Sequence, residues 1–182
     1  MKVLFLHLSD MHFVSDSSYT KKDCEEIANA VAAKIICPIS MIFLVLSGDI
    51  AFSGGAEEYN EAEKFVGELQ ASILGKVKID KEKIKVLLVP GNHDRQYPED
   101  RPDREDYESV LSRRKDEELK TYIDREFSMQ KNFFEFLKRE ECPYGESEKF
   151  LQRKVIEHEG FSFEFNLLNT APMSLLDADD RG

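Results

Sequence analysis

Apolar residues gather in three short β-rich runs, Val3–Leu8, residues 41–46 and Ile84–Val89, and only His7 interrupts the first. Runs this compact, without polar alternation, predict strands covered on both faces. Between the first two, residues 20–37 open with Thr20-x-x-Asp23, a capping box with Asp in place of the usual Glu. Ile27, Ala30, Val31, Lys34 and Ile35 follow at helical spacing, and Pro38 ends the stretch. Between the second and third runs, residues 57–74 place Tyr59, Ala62, Phe65, Val66 and Leu69 on one helical face before Gly75. The order β-α-β-α-β predicts an α/β fold with right-handed crossovers and a mainly parallel sheet.

After the third run the pattern changes. Residues 95–149 are dense in charge, open with Pro98 and Pro102, and carry helical periodicity over 107–120 and 123–140. The second stretch is amphipathic through Phe127, Phe133, Phe134, Phe136 and Leu137. Segment 95–149 therefore reads as a helical insertion within one domain spanning 1–182, lying over the loops that follow the strands; a solvated helical hairpin is the plainer alternative. Beyond it, Phe161, Phe163 and Phe165 alternate with polar residues and lead into Leu167 and Leu168, the signature of a half-buried strand. His158, in Glu157-His158-Glu159-Gly160, reads as a solvent-facing turn residue, and His7 as a packed, hydrogen-bonded core histidine.

Composition narrows the chemistry. The 182 residues are 41% apolar, enough to bury one core, and carry a formal net charge of -11 with a pI near 4.9. Such a balance disfavours an electrostatic grip on duplex nucleic acid or on an anionic membrane; the basic run Arg113-Arg114-Lys115 is a local counterweight. A phosphate-bearing partner would need positive charge from elsewhere, and bound metal ions are the natural source. Cys24, Cys37 and Cys142 are widely spaced and odd in number, so neither a disulfide framework nor a zinc knuckle is expected. Val3–Leu8 is too short for the apolar core of a secretion signal, and no run reaches the roughly 18 apolar residues of a membrane span. The expected location is cytoplasmic.

Each apolar run ends in a polar cluster: Ser9-Asp10-Met11-His12, then Gly48-Asp49-Ile50-Ala51-Phe52-Ser53-Gly54, then Pro90-Gly91-Asn92-His93-Asp94. In an open parallel sheet the loops beyond the carboxyl ends of the strands converge on one crevice. The donors brought there are carboxylates, imidazoles and an amide oxygen, a set suited to hard or borderline divalent metals. In Asp10-x-His12, extended geometry would turn both side chains the same way to grip one ion. Asp49 can bridge two ions, and Asn92 offers a neutral oxygen to the second. Asp10-x-His12 and Gly48-Asp49 with Gly54 are each weak signals alone, Gly91-Asn92-His93-Asp94 after a strand is better, and the three in order, each capping a buried strand, are a strong one.

The stretches L-H-L-S-D-M-H-F (residues 6–13), S-G-D-I-A-F-S-G (47–54) and V-P-G-N-H-D (89–94) resemble the first three motifs of the calcineurin-like metallophosphoesterases. The resemblance covers about the first half of the chain. It implies an αββα sandwich of two facing sheets, and two divalent ions, manganese first, with iron, zinc, nickel or magnesium as alternatives. Asp10 and His12 would hold one ion, Asp49 would bridge, Asn92 would hold the second, and a bridging hydroxide would attack phosphorus while His93 faces the leaving group.

Two departures stand out. Many relatives carry an acidic residue three positions after the bridging Asp, able to orient the catalytic histidine; here that position is Phe52, which leaves Asp94 as the nearest candidate for orienting His93. The later family motifs, a histidine after another strand and a G-H-x-H, are absent, and His158 is the only histidine beyond His93. The resemblance therefore implies a fold truncated to its first sheet plus the helical insertion, as in an N-terminal piece of a longer protein. A homodimer covering the open sheet face is the alternative. The expected activity is hydrolysis of a phosphomonoester or phosphodiester, with a small nucleotide-like substrate favoured. The alternatives are a nuclease of the same fold and a binding module impaired in catalysis.

Overall fold

A computed structural model describes residues 1–16, 19–97, 112, 116–140 and 148–174. The basic run 113–115, Cys142 and most of the helix expected over 107–120 lie outside the described residues.

The three apolar runs form strands β1 (Val3–Leu8), β2 (Met41–Ser47) and β3 (Ile84–Val89), parallel and in the order β1-β2-β3. Successive residues of β1 face those of β2, from Val3 opposite Met41 to Leu8 opposite Leu46. The connecting helices α1 (Lys21–Lys34) and α2 (Ala56–Lys76) lie on one face of the sheet, as a chain that winds steadily in one direction with one hand of crossover requires. Helix α1 starts at the expected capping box: Asp23 Oδ2 accepts from the Thr20 backbone N–H at 2.6 Å, and Thr20 Oγ1 accepts from the Asp23 N–H at 3.4 Å. Its buried stripe is Cys24, Ala28 and Val31, so Ala30, expected inside, faces out. In α2 the expected face is the buried one, with Tyr59, Ala62, Val66, Leu69 and Ile73 fully covered.

Residues 116–140 form helices α3 (Asp116–Met129) and α4 (Lys131–Arg139), with the break at Gln130 rather than near residue 121. Helix α4 is less a rim than a core element. Phe133, Phe136 and Leu137 are buried in the same cluster as α1 and α2, and Phe136 stacks on Tyr59 with centroids 5.4 Å apart.

The other face of the sheet meets a hairpin of β4 (Leu151–His158) and β5 (Phe161–Leu168), antiparallel and in register. Among the described residues the second sheet is thus represented by two strands, of which β4 was not expected from the sequence. Glu159 (φ 49) and Gly160 (φ 77) make the two-residue connection, the left-handed pair such a turn demands. Phe163 and Phe165 pack on Phe43 with centroids 5.1 and 4.8 Å away. The cover is partial: Phe5 remains 52% exposed, so β1, expected to be covered on both faces, is covered on one. His7, expected in the core, is also exposed on this face, where its ring bonds to Ser47 Oγ. His158 closes β4 with only 15% of its side chain exposed, beside the first residues of β2 and β3, and so lies at the end of the sheet opposite the strand-end loops.

Candidate metal centre

The loops after β1 and β2 zip together beyond the sheet. The His12 N–H donates to Asp49 O at 2.9 Å, Phe13 N–H to Ile50 O at 2.8 Å, and Phe52 N–H to Phe13 O at 3.0 Å. Between the strands and this zipper the backbone turns sharply. Asp10 (φ 56), His12 (φ 47) and Asp49 (φ 51) are all left-handed, a conformation costing non-glycine residues roughly 1–2 kcal/mol each. Among the described residues only Glu159 at the hairpin tip shares it without being glycine. Backbone strain of this kind clusters at active sites and ligand clamps.

The third loop is fitted against the second. A Cβ on Gly91 would come within 2.1 Å of Asp49 Oδ1, so only glycine allows the approach that lets the His93 N–H donate to that same oxygen at 3.0 Å. Gly54 (φ 72) is equally constrained, since a Cβ there would meet the Arg95 carbonyl carbon at 2.5 Å.

Asp94 holds the second and third loops together. Its buried carboxylate accepts the backbone N–H groups of Ala51 and Gly91 at 2.8 Å and of Ile50 at 3.1 Å, and the Tyr59 hydroxyl at 2.9 Å. Burial pushes its pKa up to about 6, against the pull of those four donors. Asp94 was expected to orient His93, and it does not. A carboxylate saturated by four donors has no capacity left for the ring, and His93 Nδ1 bonds instead to the backbone carbonyl of Phe52 at 2.8 Å. A carbonyl only accepts, so Nδ1 carries the proton and Nε2 is the nitrogen left for chemistry.

Further bonds brace these loops. Glu58 accepts from the Ser53 N–H and hydroxyl and from the Gly55 N–H, at 2.7–2.9 Å. Asn132 of α4 donates to Gly54 O at 2.8 Å. Arg95, fully buried, pairs with Glu126 of α3 and donates to the carbonyls of Ala171 and Ser174. A reciprocal amide pair, Gln130 with Asn169, adds to this clamp. Neither Arg95 nor Glu58 stood out in the sequence; the Glu three residues after Gly55 was the available signal.

The result is a half-buried cluster in which His12, Asp49 and His93 each offer a ligand atom within 4.8 Å of the others. The His12 and His93 rings stand edge to face with centroids 4.6 Å apart. Asp10, expected beside His12, is outside this trio, and its carboxylate accepts from Ser9 Oγ. The left-handed backbone at both residues removes the extended geometry that would have turned the two side chains together. Asn92 is half-buried next to His93 on the third loop.

A divalent cation fits this donor set. Carboxylate and imidazole ligands without a thiolate suit hard or borderline ions. His12 Nδ1 is buried with no hydrogen-bond partner, a cost that a coordinated ion would offset. No helix among the described residues is long and apolar enough to cross a membrane.

A family model described as calcineurin-like phosphoesterase matches residues 3–178. No curated protein matches the chain.

Proposed function

Because the chain belongs to the calcineurin-like phosphoesterase family, whose members hydrolyse phosphate esters with divalent metals, we propose that the cluster of Asp10, His12, Asp49, Asn92 and His93 is a hydrolytic centre acting on a small phosphomonoester or phosphodiester. The observation that carries this reading is the convergence of His12, Asp49 and His93, with an unpartnered buried imidazole nitrogen among them. Asp10, His12, Asp49 and Asn92 are the residues that would hold the ions, manganese being the first candidate. When bound, the ions supply Lewis acidity that neutralises charge on the phosphoryl oxygens and promotes ionisation of the attacking water.

The chain's own residues do the rest. The Gly91 contact and the His93 N–H to Asp49 bond hold the Asp49 carboxylate in one orientation, so the entropy of placing it is spent on folding rather than on binding. The Phe52 carbonyl fixes the His93 tautomer. With Nδ1 committed, Nε2 in its protonated form delivers a proton to the departing ester oxygen as the P–O bond breaks, and water returns the proton afterwards. Asp94 positions two loops and takes no part in proton transfer.

Hydrolysis of bis(p-nitrophenyl) phosphate and of p-nitrophenyl phosphate with added manganese tests this. His93→Ala should lower kcat by about 100-fold or more, in line with the usual range for general acid catalysis, while leaving manganese affinity within about threefold. If manganese affinity collapses with His93→Ala, the ring is a ligand instead of a proton donor. If neither ester is hydrolysed above the metal-only rate, the chain alone is not a complete catalyst. Activity of the isolated chain is expected to be low, because the four histidines of the sequence include none in a later G-H-x-H motif, and the second ion would rest on Asn92 and a share of Asp49.

A further inference from the structure

At the lip of the same cluster one large apolar side chain faces solvent. Phe52 is 37% exposed, yet its backbone is held on both sides: the N–H donates to Phe13 O, and the carbonyl accepts from His93 Nδ1. Its ring lies 6.0 Å from the His12 ring and 5.8 Å from the His93 ring, centroid to centroid. A phenyl ring on a rigid loop, partly open to water and in contact range of both imidazoles, is a preformed flat apolar surface.

Resting on the hydrolytic reading above, we infer that Phe52 is a specificity-determining residue that stacks a flat aromatic ring carried by the group esterified to the phosphate, so that the site selects aryl or nucleoside phosphates over alkyl ones. Stacking desolvates the exposed part of the phenyl face and brings two π surfaces into an offset arrangement. The ring sits beside His93, the proposed proton donor, so the stacked group is the one that leaves. The backbone carbonyl performs the separate task of orienting His93, so the two roles of the residue can be separated by changing the side chain alone.

Affinity measured by isothermal titration on the manganese-loaded chain tests this without turnover. The ligands are phenylphosphonate and a nucleoside 5′-phosphonate, with methylphosphonate as the alkyl reference. The wild-type chain should prefer a ring-bearing ligand over methylphosphonate by about tenfold, ~1.4 kcal/mol. Phe52→Ala should remove that preference, and Phe52→Tyr should keep it. Phe52→Leu, which keeps apolar bulk without the ring, should lose most of it, and supplies the answer should the alanine variant fail to fold. Preference for phenylphosphonate alone places the ring against the leaving atom; preference for the nucleoside ligand alone places it one sugar away. Both outcomes support the inference. Equal preference in wild type and Phe52→Ala overturns it while leaving the hydrolytic reading intact. Failure of every phosphonate to bind the metal-loaded chain overturns that reading and this inference with it.

Discussion

The two faces of the parallel sheet are built differently. On the helix face, Ile42, Leu44, Leu46 and Leu88 are fully buried against α1, α2 and α4. On the hairpin face, among the described residues, the buried cluster is Met41, Phe43, Leu87 and Leu167, and Phe5 is half exposed. The loops of the candidate centre are anchored mainly to the well-packed side: Asp94 to Tyr59, Ser53 and Gly55 to Glu58, and Gly54 to Asn132. Toward the hairpin, Arg95 reaches the turn after β5. Strained loops at Asp10, His12 and Asp49 need a rigid base, and the helix face provides it. The geometry of the centre should therefore depend strongly on the helix side and weakly on the hairpin.

The largest effect that would test this contrast is at Asp94. Asp94→Ala leaves three backbone N–H groups and the Tyr59 hydroxyl without their acceptor and should cost about 4 kcal/mol in denaturant unfolding, with manganese binding lost in the same variant. A stable variant with intact binding would show that the loops hold themselves.

A pH dependence follows from the same residue. Its folded pKa, about 6, lies above the ordinary aspartate value of 3.8, so between those values the folded chain binds more protons than the unfolded one. The contribution of Asp94 is therefore fully present below about pH 4 and is lost as pH rises through about 6, by up to about 3 kcal/mol. Subtracting the metal-free stability profile of Asp94→Asn from that of the wild type should isolate this slope; parallel profiles would contradict the assignment.

Core truncations sharpen the comparison further. Leu44→Ala on the helix face should cost about 3 kcal/mol, and Phe165→Ala on the half-covered hairpin face about 1–2 kcal/mol with manganese affinity unchanged. Equal costs, or a loss of affinity with Phe165→Ala, would erase the distinction between the faces. The smallest effect is at the start of α1, where Thr20→Ala should cost about 1 kcal/mol in unfolding free energy.

The same contrast explains what could be read from sequence. The strands and helices of the helix face were legible because each buries a whole stripe or run: the β1 and β3 boundaries match residue for residue, and Thr20 caps α1 as the pattern indicates. Strand β4 was not legible, because Leu151, Arg153 and Val155 point outward while Gln152 and Lys154 point toward the sheet, which inverts the usual alternation. The Glu159-Gly160 pair was the one local clue. In the candidate centre the loop sequences supplied the candidate donors, but not how they are held. The left-handed turns at Asp10 and His12, the carbonyl of Phe52 that bonds to His93, and the bonds from Ile50, Ala51 and Tyr59 to Asp94 depend on how loops and a helix distant in sequence meet.

His12 and Asp49 are two residues proposed to hold a divalent metal. Isothermal titration of manganese into the chain tests it most directly. One tight binding event per chain is expected, with any second ion much weaker. His12→Ala and Asp49→Asn should abolish the tight event, and His158→Ala, at the far end of the sheet, should leave it unchanged. No binding by the wild-type chain, or tight binding that survives His12→Ala, would show that these two residues hold no metal.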